Sequence, residues 1–177
     1  KPPDIEMRTM RRIVSVTGTR ADYGLMEPVH RAIAAHAGFE LHLIVTGMHH
    51  EPEFADSLAR VRSDRLGQLH DTIPRPDDDS GRSMARAIGD AIGATADVFD
   101  RVGPDIVLLQ GDRGEMLAAA IAAAHMNLPI VHMSGGDFSG SIDDSVRNAL
   151  SKLAHVHLTS CAASTDRLVG LGEDPRR

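Results

Sequence analysis

Short apolar runs recur along this chain, and between them apolar residues return at helical spacing. The runs at 12–17 (RIVSVT), 41–45 (LHLIV), 106–110 (IVLLQ), 130–133 (IVHM) and 156–159 (VHLT) read as strands, with a shorter extended piece at 69–76. Six helices fit the intervals. The first runs from a cap at Asp22 to about residue 36, with Leu25, Val29, Ala32 and Ile33 inward. The second covers 53–65 on Phe54, Leu58 and Val61, and the third covers 83–102 on Met84, Ile88, Ile92, Ala96 and Phe99, stopped by Gly103-Pro104. An alanine-rich helix follows at 116–126, then helices at 143–153 and 165–171. Strict alternation of strand and helix predicts an α/β fold: a parallel sheet with right-handed crossovers and helices on both faces.

Composition narrows this picture. At 177 residues the chain suits one domain with a sizeable core, and 42% hydrophobic content is ordinary for a globular protein. Aromatic content is 3% with no Trp, so the core must be built from Leu, Ile, Val, Ala and Met. A net charge of −6 argues against a nucleic-acid binder, while leaving room for a local anion site. The lone Cys161 excludes an internal disulfide and reads as a small packed or surface thiol, with a nucleophile as the alternative. No run approaches the ~18–20 apolar residues of a membrane helix, residues 1–10 lack signal-peptide character, and a cytoplasmic, membrane-free protein is expected. Residues 1–10 read as a disordered leader and 11–177 as the folded domain, with the acidic stretch 77–81 a solvated loop inside it.

The chemistry concentrates in 130–147 (IVHMSGGDFSGSIDDSVR). One strand end, two glycine-permitted turns and one helix start gather Asp137, Asp143, Asp144 and Arg147, with Asp143 and Arg147 at i and i+4 on one helix face. In an open α/β sheet, ligands bind outside the carboxyl ends of the strands. The same rim would hold Gly18, Thr19, Arg20 and Asp22 after the first strand, Gly47 to His50 after the second, Gly111, Asp112 and Arg113, Ser134, Gly135 and Gly136, and Ser160. Small residues there let backbone N–H groups approach a ligand, and helix N-termini favour anions. Neither the G-x-G-x-x-G dinucleotide fingerprint nor the G-x-x-x-x-G-K-[ST] phosphate loop is present, so a nucleotide sugar or other phosphate ester fits better than NAD or ATP.

Asp112 and Asp143 come from different strand ends, and carboxylates in different environments can divide acid and base roles. Arg20, Arg113 and Arg147 could neutralise phosphate or tune those carboxylates. The plainer readings are helix caps for Asp112, Asp143 and Asp144 and a helix-surface ion pair for Arg147. His49-His50 lacks a third metal ligand at diagnostic spacing, so no metal is expected. His155 and His157 alternate within a strand and read as a packed, hydrogen-bonded core pair. His132 sits in a buried strand beside the Ser134 turn, which suits a structural role but keeps it a candidate at the site.

Several ordered motifs together resemble the hydrolysing UDP-N-acetylglucosamine 2-epimerases of sialic-acid and nonulosonate biosynthesis. They are TGTRADYGL at 17–25, GDR at 111–113, HMSGGD at 132–137, SGSIDDSVR at 139–147, KLAHVH at 152–157 and GEDP at 172–175. The resemblance runs from about residue 12 to the last residue. It implies the N-terminal, three-layer Rossmann-like domain of a glycosyltransferase-B-like enzyme about twice this length, with the second domain absent from this chain. The implied reaction removes the proton at C2 as UDP leaves C1, then hydrates the resulting glycal with inversion at C2. The products would be N-acetylmannosamine and UDP, and no cofactor is required.

The same resemblance places Asp112 and Asp143 among the acid/base carboxylates, matches Arg147 to the arginine four residues after Asp143, and puts Arg20 near the diphosphate. Together with the rim argument, the expected catalytic set is Asp112, Asp143, Asp137 and Arg147, and the expected substrate-binding set is Gly18, Arg20, Asp22, Arg113, His132, Ser134, Gly135 and Gly136. Ser134 departs from the glutamate that many relatives carry there, which shifts base work to Asp137 or Asp112 or marks a different substrate, such as a 4-amino-6-deoxy UDP-sugar. The Arg20-Ala21-Asp22 and Ile142-Asp143-Asp144-Ser145 wording points to the hydrolysing rather than the non-hydrolysing branch. A stand-alone binding or oligomerisation module and a glycosyltransferase of the same architecture are the rival classes. A homodimer through an apolar face of 83–102 or 116–126 is expected, mainly from the family.

Overall fold

The computed structural model describes residues 10–72, 78 and 80–177. The expected leader therefore lies outside the described residues except for Met10, as do 73–77 and 79, which include two residues of the expected acidic loop and part of the extended piece at 69–76.

Six parallel strands form one sheet: β1 (Arg11–Thr17), β2 (Phe39–Val45), β3 (Gln68–Asp71), β4 (Ile106–Gln110), β5 (Ile130–Met133) and β6 (Val156–Leu158). Their spatial order is β3-β2-β1-β4-β5-β6, and every pairing is parallel. Among the described residues five α-helices connect them, α1 (Arg20–Ala35), α2 (Ala55–Asp64), α3 (Gly81–Val102), α4 (Gly114–His125) and α5 (Asp143–Leu153), and a sixth, α6 (Ala162–Gly170), follows β6. The α/β alternation read from the sequence thus stands as three layers.

Successive strand residues point to opposite faces, and each face has its own core. Ile13, Leu41, Leu43, Val45 and Leu108 face α1 and α2, where they meet Tyr23, Met26, Ile33 and Val61. Val14, Val16, Ile44, Val107, Leu109 and Ile130 face α3, α4 and α5, packing on Phe99, Met116, Leu150 and the alanines of α4. Ala118, Ala119, Ala120, Ala122 and Ala123 are all buried, because small side chains let α4 lie close to the sheet and to α3. The apolar face of α4, offered above for a second copy, is therefore used inside the chain.

Two helix phases, those of α1 and α3, differ from the sequence reading, and α2 starts later than expected with Leu58 and Val61 inward as read. In α1 the inward residues are Tyr23, Met26, His30 and Ile33, while Leu25 is 68% exposed and Ala32 is also exposed. The cap is Thr19, and Asp22 is the third helical residue of a capping box: Thr19 Oγ accepts from the Asp22 amide at 3.2 Å and Asp22 accepts from the Thr19 amide at 2.8 Å. In α3 the buried stripe is Ala87, Ala91, Thr95, Val98, Phe99 and Val102, with Met84 exposed. In α2, Val61 is buried, but Phe54 lies before the helix and at the surface. The predicted core pair His155 and His157 separates: His155 is exposed and accepts from the Ile130 amide at 3.2 Å, while His157 pairs with Glu173 at 3.3 Å.

His30 and His49 take core positions. His30 Nε2 lies 3.0 Å from Ser15 Oγ, and His49 lies between Thr17 and Ser57. Burial pushes each imidazole down to about 4.

Replacing Phe99 by Ala should cost about 3–5 kcal/mol in urea unfolding, through lost burial and the cavity left behind. Leu25→Ala should change stability by less than about 0.5 kcal/mol, since Leu25 faces solvent. A second set of unfolding curves tests the histidines. The unfolded chain protonates these rings near pH 6.5, whereas the folded chain resists until about pH 4, so stability should fall as pH drops through that window. His30→Gln should flatten the slope by about one proton, or ~1.4 kcal/mol per pH unit.

Candidate active site

β1 pairs with both β2 and β4, so the chain leaves the sheet in opposite directions on either side of β1 and opens a crevice at its carboxyl end. The turn after β1 and the turn after β4 border that crevice. Gly111 takes φ +78, a left-handed conformation that a Cβ would strain, and this swings Asp112 onto the rim.

Arg147 organises the site. It lies one turn into α5 with its side chain 6% exposed. One terminal nitrogen donates to the Asp112 carboxylate, and the other to Asp144 and, at 2.9 Å, to the Asp137 carbonyl oxygen. Burial lowers the guanidinium from its ordinary value, and the buried Nε has no hydrogen-bond partner among the described residues. The backbone amide of Ser139, its hydroxyl and the Gly140 amide hold the Asp144 carboxyl below the usual range. The arginine's helix partner is thus Asp144 at i,i+3, not Asp143 at i,i+4. Asp143 instead accepts from the Ser141 hydroxyl at 2.8 Å and stands exposed on the cleft wall.

Two clefts meet at Asp112 and Arg113. The smaller, about 360 Å³, mixes polar and apolar surface and touches Thr19, Leu25, Gln110, Ser134, Asp137 and Arg147. The larger, about 460 Å³, carries Asp143 and Glu115 with an apolar wall of Met48, Met84, Ile88 and Val146.

Several proposed site residues act beneath this surface. His132 is fully buried; its Nε2–H must donate to the Gly111 carbonyl at 2.8 Å, so Nδ1 accepts from Ser151 at 3.1 Å. Desolvation lowers its pKa, and the neutral ring braces the turn bearing Asp112 rather than facing the cleft. Asp22 receives the Thr17 hydroxyl, the Gly18 and Thr19 amides and the Thr19 hydroxyl, while burial raises its carboxyl above the ordinary value. With Thr17 donating to Asp22, His49 Nε2–H donates to Thr17 at 2.9 Å and Nδ1 accepts from Ser57 at 2.8 Å. That relay fixes the Gly18-Thr19 turn.

Gly135 and Gly136 are buried against neighbours rather than open to a ligand; a Cβ on Gly136 would come within 2.1 Å of the Ser164 carbonyl oxygen. Asp137 is engaged through its carboxylate by Ser160 and, at 2.6 Å, by Ser164. Ser134 does reach the smaller cleft, at φ +62, bonded to the Gln110 amide at 3.1 Å. Arg113 is exposed at the junction of the clefts, whereas Arg20 is exposed at the start of α1 and lines neither.

The sequence reading missed Glu115. Its carboxylate pairs with Arg113 at 3.5 Å and lies where a Cβ on Gly47 would come within 2.6 Å, so it spans the turns after β1 and β2. An acid in the first turn of an otherwise alanine-rich helix was the available signal. Cys161, exposed at the α6 cap, contacts Ser164 and has no part in the clefts. Among the described residues no helix is long and apolar enough to cross a membrane.

Residues 31–177 match the family described as UDP-N-acetylglucosamine 2-epimerase. A hydrolysing UDP-N,N'-diacetylbacillosamine 2-epimerase of Legionella pneumophila is 44% identical over 165 residues, covering 93% of this chain and 44% of the relative. A UDP-N-acetylglucosamine 2-epimerase of Neisseria meningitidis is 38% identical over 164 residues, covering 93% and 43%. A hydrolysing GDP/UDP-N,N'-diacetylbacillosamine 2-epimerase of Campylobacter jejuni is 34% identical over 168 residues, covering 94% and 44%. The chain thus spans less than half the length of these curated relatives. Among solved structures, the UDP-GlcNAc 2-epimerase of Neisseria meningitidis bound to UDP-GlcNAc superposes with a TM-score of 0.80 at 20% identity, over 93% of this chain and 44% of that one, which establishes the shared fold. By its sequence match this chain belongs to the UDP-N-acetylglucosamine 2-epimerase family.

Proposed function

We propose that this chain is the N-terminal half of a hydrolysing UDP-sugar 2-epimerase whose sugar is a 2,4-diacetamido-6-deoxy hexose. The observation that carries the reaction class is the Asp112–Arg147–Asp144 cluster at the carboxyl edge of the sheet, with Asp143 on the same cleft. The choice of sugar rests on the hydrolysing diacetylbacillosamine enzymes, 44% and 34% identical. The relative at 38% identity supports UDP-N-acetylglucosamine as the second reading.

In the first step a carboxylate takes the C2 proton. The C2–H electron pair forms the C1=C2 double bond, and the C1–O bond breaks to release UDP. Water then supplies hydroxide to C1 while a proton returns to C2 from the opposite face. Inversion requires a proton acceptor and a proton donor on different sides of the ring, and Asp112 and Asp143 are the pair we assign. Arg147 is assigned to hold Asp112 in place, and the exposed Arg113 and Arg20 to meet the diphosphate. Asp137, held by two serine hydroxyls, is assigned a positioning role through its backbone carbonyl on Arg147. A second domain closes the cleft in this reading, and the isolated half turns over little substrate. A homodimer, and a cytoplasmic location for the enzyme, belong to the same proposal.

The test is release of UDP and the 2-epimerised free sugar by the full-length protein, offered UDP-N,N'-diacetylbacillosamine and UDP-N-acetylglucosamine separately. Asp112→Asn should lower kcat by about 10²–10⁴-fold with the protein still folded. Activity of Asp112→Asn close to wild type would remove Asp112 from the chemistry.

A further inference from the structure

We infer that the apolar wall of the larger cleft selects the sugar: Met84 and Ile88 of α3, with Met48 and Val146, receive the methyl groups that distinguish a 2,4-diacetamido-6-deoxy sugar from N-acetylglucosamine. The inference rests on the 2-epimerase reading above and assigns specificity within that same site.

Asp112 and Arg113 border both clefts, so a sugar presented to Asp112 must lie against one wall or the other. The smaller cleft offers hydroxyl and amide partners from Thr19, Gln110 and Ser134. The larger one presents thioether and aliphatic carbon. Met84 is 50% exposed and Ile88 half-buried one turn further along the same helix face, leaving apolar surface uncovered beside a carboxylate cluster.

Ile88 is fixed in this position by Gly114. A Cβ at 114 would come within 2.3 Å of Ile88 Cδ1, so the missing side chain lets Ile88 press onto the turn that bears Asp112. Nothing in the four-residue wall can pair with a hydroxyl. A C5 hydroxymethyl resting there would lose its water without a replacement, whereas a C5 methyl or an acetamido methyl would be covered favourably. Glu115 and Asp143, at the edge of the same cleft, supply acceptors for an amide N–H.

The experiment compares kcat/KM of the full-length protein for UDP-N,N'-diacetylbacillosamine and UDP-N-acetylglucosamine, in wild type and in Met84→Gln and Ile88→Thr. Wild type should favour the 6-deoxy substrate by about tenfold or more, the scale on which an apolar pocket discriminates one small group. Met84→Gln keeps side-chain size while adding polar atoms, and Ile88→Thr replaces Cγ1 and Cδ1 by a hydroxyl; each should lower that preference about fivefold or more, and Met84→Leu and the hydroxyl-free size control Ile88→Val should retain it. Met84 is half-exposed, so Met84→Gln removes apolar character with little risk to folding. A wild-type preference for UDP-N-acetylglucosamine, or variants that slow both substrates equally, would overturn the wall's role while leaving the 2-epimerase reading intact. A full-length protein that releases UDP from neither substrate would overturn both.

Discussion

A nearly buried arginine is the constraint on which the rim depends. Arg147 cannot shed its charge at any ordinary pH, so burial obliges the surrounding chain to supply anions and carbonyl oxygens. It draws them from three separate segments: Asp112 after β4, the Asp137 carbonyl after β5, and Asp144 in the first turn of α5. Each segment is in turn braced from below. His132 holds the Gly111 carbonyl, Ser160 and Ser164 hold Asp137, and the Ser139–Gly140 amides hold Asp144. Removing one partner from such a cluster leaves a buried charge uncompensated, so the cluster behaves as a unit.

The parallel sheet was legible because buried strands are continuous and short. The runs 106–110 and 130–133 coincide with β4 and β5, and 143–153 coincides with α5. Phase was harder than existence. α1 carries apolar residues at 23, 25, 26, 29 and 33, enough for two overlapping stripes, and the one that wins includes His30 hydrogen-bonded to Ser15 on β1. Polar burial of that kind leaves no periodic trace in a sequence.

The site was legible as a set of segments but not as a set of contacts. Spacing allows Arg147 to meet either Asp143 or Asp144; the choice falls to Asp144 because the 139–140 turn wraps its amides around that carboxylate. Likewise the glycines at 135 and 136 read as a ligand loop, yet they are needed so that α6 and Ser151 can pack close to the turn. Glu115 escaped notice because the turns it packs against, at Gly18 and Gly47, are distant in sequence.

The charge balance of the rim bears on the fate of a product. Asp112 and Asp144 share the buried guanidinium of Arg147, and Asp143 stands exposed on the same cleft, so carboxylates outnumber that cation at this edge of the sheet. A neutral sugar ring tolerates that field, whereas on the proposed reading a diphosphate is met by the exposed Arg113 and Arg20. Breaking the C1–O bond in that reaction converts an esterified phosphate into a free terminal one with greater negative charge. Carboxylates beside the sugar then oppose the return of that phosphate to the glycal, while the two arginines hold it until it leaves.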